Sequence, residues 1–304
     1  MSLMARIGVV GAGRVGAVLG AAFLAAGHEV VAAAGESSAS RLRIDTLLRG
    51  VPVRKPTEVA RACDLLLLTV PDDMLENVAN MLAGAGAIHE GQYVVHTSGR
   101  HGLAVLAAAA AAGAHRAAMH PAMTFTGTAV DLHRLRGCVF GITAPDEDRA
   151  FVEALVADLG GSPMWVDESR RTLYHAGLAH GANHLVTLVA QAMDLLAEAG
   201  ADDPAATLRP LMGAALDNAL AYGDAALTGP IVRGDLQTVR AHLRDIAATA
   251  PDTLPSYVAM ARATVDRAVL DGRLLPIRAA RLGELLDAAT AEAAARSGAG
   301  RTGR

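Results

Sequence analysis

The sequence has few aromatic residues, one lysine and two cysteines, and each scarcity excludes a class of protein or site. Aromatic residues make up 3% of the 304 residues, so the core must be built from Ala, Val, Leu, Ile and Met, which suits close helix packing and buried parallel strands. Lys55 is the only lysine, which leaves lysine-dependent mechanisms one candidate. The two cysteines, Cys63 and Cys138, form no CxxC pair, so we expect no disulfide framework or structural zinc site and favour a reducing compartment.

The sequence also lacks a strong charge of either sign and a long apolar run. The net charge of −4 is spread along the chain, so nucleic acid and anionic membranes are not expected partners. The apolar run at 103–112 is too short to span a membrane, and Gly11 and Gly13 interrupt the first apolar stretch where a signal peptide would continue. We therefore expect a cytoplasmic protein that acts on a small molecule.

Strand and helix patterns alternate over the first half of the chain. Apolar runs predict strands at 5–10, 29–33, 51–53, 64–70, 92–96, 116–119, 139–143 and 163–166. Helical patterns lie between most of them, and only helical periodicity follows, with helices at 169–199, 204–222, 236–248, 255–271 and 276–296. This order predicts an α/β fold: a doubly wound Rossmann-type parallel sheet in a domain of residues 1–167, followed by an all-α domain of residues 168–304.

Residues 11–16 form the motif G-x-G-x-x-G at the first strand-helix junction. Gly11 allows a tight turn, Gly13 lets the backbone approach a pyrophosphate, and Gly16 lets helix and strand pack closely. Arg14 and Val15 belong to the same turn, and free N–H groups at the helix start favour an anion. The motif predicts a dinucleotide site, and a glycine-rich turn without a ligand is the alternative.

The residues after the second strand bear on the choice between NAD and NADP. Glu36 can bind a ribose 2′-hydroxyl, which would favour NAD. Ser37, Ser38 and Arg41 can hold a 2′-phosphate, although Arg41 and Arg43 also fit a solvated helix face. Because phosphate donors outnumber acceptors, we predict NADP, with NAD as the alternative.

Several further motifs carry a resemblance that covers nearly the whole chain. They are VPDD at 70–73, HTSG at 96–99, MHPAM at 119–123, YH at 174–175 with Asn183, and LTGPIVRGD at 227–235. Together they resemble a bacterial family of Rossmann-like proteins, usually assigned as oxidoreductases, whose C-terminal helical domain has no known function. That family is similar to pyrroline-5-carboxylate reductase, prephenate dehydrogenase, ketopantoate reductase and other members of the 6-phosphogluconate dehydrogenase-like superfamily. The resemblance implies the fold and a nicotinamide cofactor but no particular substrate.

Several of these relatives use a lysine of the helical domain as general acid and base, and this chain has no lysine after Lys55. Arginine cannot take over that role because its pKa stays above 12. His120 and Ser98 instead follow strands, where ligands of open α/β sheets bind, and their placement resembles that in prephenate dehydrogenases. We predict His120 as acid and base with Ser98 as its hydrogen-bonding partner; alternatively, His120 caps a backbone carbonyl in a His-Pro turn.

Three residues that follow strands complete the predicted cofactor cleft. They are Val70 and Pro71 after the fourth predicted strand and Thr97 after the fifth. The carboxyl ends of parallel strands lie at one edge of the sheet, which is where a dinucleotide binds.

The helical domain contributes two further candidates. Asn183 resembles a position that contacts substrate or nicotinamide, although an interhelical hydrogen bond also explains it. Arg233 can clamp an anionic substrate, or it can pair with Asp235, whose preferred role is to cap the helix from 236. His180 and His184 have metal-ligand spacing but lack a third local ligand, so no metal is predicted.

These observations predict an oxidoreductase that moves hydride between NADP and a small anionic hydroxy or keto acid, or an imine. The alternative is a dinucleotide-binding sensor or scaffold without turnover. The helix at 169–199 is apolar on nearly all sides, so one chain cannot cover it, and we predict a homodimer through the helical domain. The resemblance implies the same pairing.

Overall fold

The computed structural model describes residues 4–299, and the chain divides into two compact units, Met1–Ala182 and Asn183–Arg304. The first unit contains seven strands: β1 (Arg6–Val10), β2 (Glu29–Ala34), β3 (Leu65–Leu68), β4 (Tyr93–His96), β5 (His115–Pro121), β6 (Val139–Thr143) and β7 (Ser162–Trp165). Its helices are α1 (Arg14–Ala25), α2 (Ser38–Leu47), α3 (Pro56–Arg61), α4 (Asp72–Gly84), α5 (Ala107–Ala111), α6 (Val130–Arg134), α7 (Arg149–Asp158) and the start of α8 (Arg171–Glu198).

The seven strands form one sheet in the order β2-β1-β3-β4-β5-β6-β7. The predicted doubly wound sheet is confirmed, and β1 to β5 pair in parallel. The sheet is parallel as predicted except at one place, where β6 runs antiparallel to β5. The connection between them holds only the short α6, whereas a parallel pair requires a crossover to the far edge of the sheet. The chain therefore enters β6 at the edge where it leaves β5, with Pro121 opposite Phe140.

The sheet is buried on both faces, as β3 illustrates. Its sequence LLLL is fully buried, and the side chains alternate between two cores. Leu65 and Leu67 pack into the core that contains α1 and α7, while Leu66 and Leu68 pack with α3 and α4. This double burial explains the continuous apolar runs in the sequence.

The structure corrects three local predictions. The strand expected at 51–53 is a single bridge between Val53 and Ala33, since Pro52 has no N–H to offer a ladder. The helix α3 follows it and was not predicted. The alanine-rich segment at 103–112, whose sequence favours a continuous helix, starts with a 3₁₀ turn, Ala104–Leu106, before α5.

The second unit contains the end of α8 and four more helices: α9 (Pro204–Tyr222), α10 (Leu236–Thr249), α11 (Leu254–Leu270) and α12 (Pro276–Ala299). Within the described residues, no strand follows β7, which confirms the helical prediction. Its core joins α10, α11 and α12 through residues such as Val239, Val258 and Leu282. None of the 19 residues of α9 is buried.

The predicted domain boundary at 167 falls where strands give way to helices, whereas the compact units divide within α8. None of the described helices has the length and apolar character needed to cross a membrane.

Candidate functional site

The turn between β1 and α1 adopts a conformation that only glycine permits at two of its positions. Gly11 has a φ of +94°, and a Cβ there would lie 2.7 Å from the backbone nitrogen of Val70. A Cβ on Gly16 would overlap the hydroxyl of Thr69, which donates a 2.7 Å hydrogen bond to the Gly11 carbonyl. The turn is thus packed against the end of β3.

Gly13 differs from these two glycines, because its Cβ position faces open space. The nearest atom there is the Gly11 carbonyl oxygen at 3.8 Å. The first N–H groups of α1 follow directly, next to the exposed Arg14 and the half-buried Val15. An open backbone at a helix N-terminus fits the pyrophosphate of a dinucleotide.

The chain after β2 presents polar groups around the start of α2. Ser37 is the N-cap of α2, and its hydroxyl accepts a 3.0 Å hydrogen bond from the Ser40 N–H. Ser38 and Arg41 lie in the first turn of α2 and, like Glu36, are exposed. Groups for both cofactors are therefore present at this position. The serine hydroxyls and Arg41 suit a 2′-phosphate, and the Glu36 carboxylate suits a 2′-hydroxyl.

Arg43 contacts a loop next to the glycine turn, so it does not lie on a fully solvated helix face. A Cβ on Gly127 would lie 2.6 Å from Arg43 Nε and 3.0 Å from Arg14 Cγ, so both arginines contact the same loop. The buried carboxylate of Asp131 holds that loop, accepting hydrogen bonds from the backbone N–H groups of Thr126 and Gly127. Periodicity alone could not reveal this contact, because the loop follows β5 in the sequence.

Val70 and Pro71 follow β3, and Thr97 follows β4. Since β1, β3 and β4 are parallel neighbours, these residues lie at the same edge of the sheet as the glycine turn. Pro71 is the N-cap residue of α4, and Asp72 lies in the first turn of that helix. All three residues lie at the edge where the cofactor cleft is predicted.

His120 forms a hydrogen-bonded pair with Tyr174, a residue near the start of α8. The ring nitrogen Nδ1 lies 2.9 Å from the Tyr174 hydroxyl. Gly141 of β6 lies opposite His120 in the sheet, and a Cβ there would approach the Tyr174 hydroxyl and ring to 2.5 Å. Tyr174 can therefore lie across β6 and reach His120 only because residue 141 has no side chain.

The loop after β4 reaches the same pair through Gly99. A Cβ on Gly99 would lie 3.1 Å from His120 Nε2 and 2.5 Å from His175 Cδ2. The hydroxyl of Ser98 accepts a 3.1 Å hydrogen bond from the His101 N–H. The sequence predicted a hydrogen bond between Ser98 and His120. In the structure, the Ser98 hydroxyl bonds to the His101 N–H instead, and His120 bonds to Tyr174.

Arg171, the first residue of α8, is fully buried beneath this cluster and connects the loop after β4 with the strand β6. Its guanidinium donates to the Ser98 carbonyl at 2.6 Å, to the Thr143 hydroxyl at 3.0 Å and to the Gly141 carbonyl at 3.4 Å. These acceptors are all neutral oxygens. The cation thereby fixes the loop after β4 and the strand β6 to the first turn of α8.

The electrostatic environment keeps His120 neutral. Burial, followed by the Arg171 cation and His175, lowers the pKa of His120 to about 4, against a smaller opposing effect of Asp72. Burial raises the pKa of Tyr174, and Arg171 acts in the opposite direction. The pKa of Arg171 itself falls to about 10 through burial, so it stays charged at neutral pH. The site combines a neutral imidazole, a phenol and a buried cation.

The second unit contains the other predicted residues. Asn183 is exposed on α8, and Arg233 is exposed in the segment before α10. Asp235 is the N-cap of α10 and accepts a 3.1 Å hydrogen bond from the Thr238 N–H, which confirms its predicted role. Among the described residues, no group of three or more His, Cys, Asp or Glu side chains could hold a metal ion.

Sequence reasoning missed the roles of Tyr174 and Arg171. Tyr174 belongs to a motif that carries the resemblance, but no spacing linked it to His120, 54 residues away. Arg171 had no sequence signal, because a fully buried arginine cannot be told from a surface one without its tertiary contacts.

Comparisons with known proteins agree with this architecture. Residues 3–121 match the model of a Rossmann-like domain, and residues 138–264 match a domain of unknown function, DUF2520. The chain therefore matches a Rossmann-like domain followed by a domain of unknown function, in agreement with the resemblance. A search of curated proteins found no match.

Solved structures show the same fold at low sequence identity. A Bacteroides fragilis protein assigned as an NADP oxidoreductase is 22% identical, with a TM-score of 0.73 over 86% of this chain and 97% of its own. A reductive aminase from Aspergillus terreus, in complex with NADPH and ethyl levulinate, is 18% identical, with a TM-score of 0.62 over 89% and 95%. Pyrroline carboxylate reductase from Plasmodium falciparum, with NADP bound, is 13% identical, with a TM-score of 0.56 over 88% and 97%.

Proposed function

We propose that the protein is an NADP-dependent oxidoreductase that transfers hydride between the nicotinamide and a small anionic carbonyl or hydroxy acid, or an imine. One observation carries the proposal: the glycine turn and the His120–Tyr174 pair lie at the same edge of one sheet. The neighbours whose structures contain NADP or NADPH support the choice of cofactor.

The chain's own groups would hold the dinucleotide at three places. The open backbone at Gly13 and the start of α1 suit the pyrophosphate, and Ser37, Ser38 and Arg41 suit a 2′-phosphate. Val70, Pro71 and Thr97 would line the path towards His120. The nicotinamide supplies or accepts the hydride when it is bound.

His120 and Tyr174 would supply the proton that accompanies the hydride. In the tautomer protonated on Nε2, Nδ1 accepts a hydrogen bond from the Tyr174 hydroxyl. During reduction, the Nε2 proton passes to the substrate oxygen or nitrogen while Nδ1 takes the phenolic proton. The Arg171 cation stabilises the resulting phenolate, which takes its proton back from Nδ1 as Nε2 accepts a proton from water.

The structure favours this relay over His120 acting alone. An imidazole with a pKa of about 4 is not protonated at neutral pH, so it cannot donate a proton as an imidazolium. Tyr174 gives it a source of protons. Direct substrate contacts by Ser98, Asn183 and Arg233 remain predictions from the sequence.

The test is a screen of keto acids and imines with NADPH consumption as the readout. With an active substrate, His120→Ala should lower kcat by roughly 10²- to 10⁴-fold, and Tyr174→Phe should lower it as well, while both variants still bind NADPH. His89→Ala, at an exposed histidine, is the matched control. Wild-type turnover in His120→Ala would refute the relay. NADPH binding without turnover of any compound would favour a sensor or scaffold.

We also propose a homodimer that pairs through the second unit. The helix α9 exposes large apolar side chains, with Leu211 66%, Leu216 50% and Leu220 80% exposed. On α8, Val186 is 69% exposed. A large exposed apolar surface marks an interaction site, and two-fold pairing is the commonest way to bury one.

A cytoplasmic location remains a prediction. Its support is that Cys63 and Cys138 are both free thiols, as a reducing compartment would keep them.

A further inference from the structure

An open cavity of about 1030 Å³ lies beside Tyr174 in the first unit. Its walls come from the chain that leaves β5, the chain that enters β6, strand β7 and the first turns of α8. Because β6 is antiparallel to β5, these segments meet at the edge of the sheet that also carries His120. The volume slightly exceeds the range of roughly 300 to 1,000 Å³ that is usual for small-molecule sites.

The wall of this cavity exposes large apolar side chains. Met164 is 41% exposed, Val139 40% and Leu173 66%, and Met123 lines the same space. Contiguous apolar surface of this kind is unfavourable in water and marks a place where an apolar ligand binds. The cavity therefore favours a ligand with a hydrocarbon chain or ring.

Three arginines, Arg134, Arg136 and Arg170, also line the cavity, next to this apolar surface. Among the described lining residues there is no carboxylate. Two of the arginines are partly compensated: a guanidinium nitrogen of Arg134 lies 3.8 Å from the buried Asp131, and Arg170 interacts electrostatically with the exposed Asp167. Guanidinium groups bind carboxylates bidentately, so the cavity favours an anionic ligand.

We propose that this cavity selects the substrate: an acid with an extended apolar body, whose carboxylate lies among Arg134, Arg136 and Arg170. Tyr174 is a wall of the cavity and the hydrogen-bond partner of His120, so a molecule bound there lies next to the proton relay. That this acid is the substrate rests on the proposed function, whereas its binding in the cavity does not depend on that function.

Calorimetry with protein free of cofactor tests the binding claim with three probes. 2-Oxooctanoate has both the anion and the chain, octan-2-one lacks the anion, and pyruvate lacks the chain. We expect 2-oxooctanoate to bind roughly tenfold or more tightly than either of the others. Equal binding of pyruvate or octan-2-one would overturn the proposal.

Variants at exposed positions identify the site without disturbing the fold. Arg136→Gln and Arg170→Gln should each weaken 2-oxooctanoate binding roughly tenfold, the share of one charge-assisted hydrogen bond. Arg54→Gln is the matched control and should bind like the wild type. Arg54 lies near β2, the outermost strand on the side of the sheet opposite β7. Leu173→Asn should weaken 2-oxooctanoate but leave pyruvate unchanged.

The outcomes separate this proposal from the proposed function. Arginine-dependent binding of 2-oxooctanoate without NADPH consumption would support the cavity and count against the reductase. Turnover of short polar keto acids that is unaffected by Arg136→Gln and Arg170→Gln would support the reductase and overturn the cavity. Binding that appears only when the protein is made monomeric would assign this surface to a second copy of the chain and also overturn the proposal.

Discussion

Replacing Gly141 with alanine should destabilise the protein through a collision with Tyr174. The three atoms nearest the added Cβ all belong to Tyr174, two at 2.5 Å and one at 2.9 Å, whereas ordinary contact begins near 3.4 Å. The ring must recede by about 1 Å, which takes the 2.9 Å hydrogen bond to His120 beyond its working range. Overpacking costs about 1–3 kcal/mol, and the lost hydrogen bond adds about 1 kcal/mol.

The preference of a strand for alanine over glycine opposes this destabilisation. Alanine is better than glycine by roughly 0.5–1 kcal/mol within a strand, so the net cost of Gly141→Ala should be about 1–3 kcal/mol. Without the tyrosine ring the collision disappears. In a Tyr174→Ala background, Gly141→Ala should therefore be neutral or slightly stabilising.

Urea denaturation of the four proteins in this cycle measures the coupling between the two positions. Gly84→Ala, at the end of α4 where nothing lies within 4 Å of the new Cβ, should stay close to the wild type. Additive effects of the two changes would refute the inference that residue 141 must lack a side chain for Tyr174 to reach His120.

Three further outcomes are expected. Calorimetry should show tighter binding of NADPH than of NADH, with Arg41→Ala narrowing the gap; equal or reversed affinities would assign Glu36 to the ribose and NAD as the cofactor. The folded pKa of His120 is about 4, below its ordinary value of 6.5, so the unfolded chain binds more protons between those values. The free energy of unfolding should thus fall by roughly 3 kcal/mol through this group as the pH drops from 6.5 to 4, and His120→Gln should remove that share; an unchanged pH profile would contradict the assigned burial. Light scattering should give twice the 31.1 kDa chain mass for the wild type and the single mass for Leu220→Asp, and a wild-type mass near 31 kDa would exclude the dimer.

The glycine turn and the alternation of strands and helices could be predicted from the sequence because both are local. The G-x-G-x-x-G motif connects β1 and α1, which follow one another directly in the chain, and the four consecutive leucines of β3 indicate a strand buried on both faces. Asp235 caps a helix within its own turn, so its role was also visible. Features of this kind depend on neighbours in the chain, which a sequence displays.

The direction of β6, the His120–Tyr174 pair and the buried Arg171 were decided by the tertiary structure. Arg171 donates to the Ser98 carbonyl, 73 residues away, and His120 meets Tyr174 across Gly141 of a different strand. Periodicity states which face of an element is apolar, but it does not state which polar groups the packed elements bring together. A buried guanidinium and a neutral histidine are tolerable only where backbone carbonyls and hydroxyls converge on them, and that convergence exists only once sheet and helix have packed.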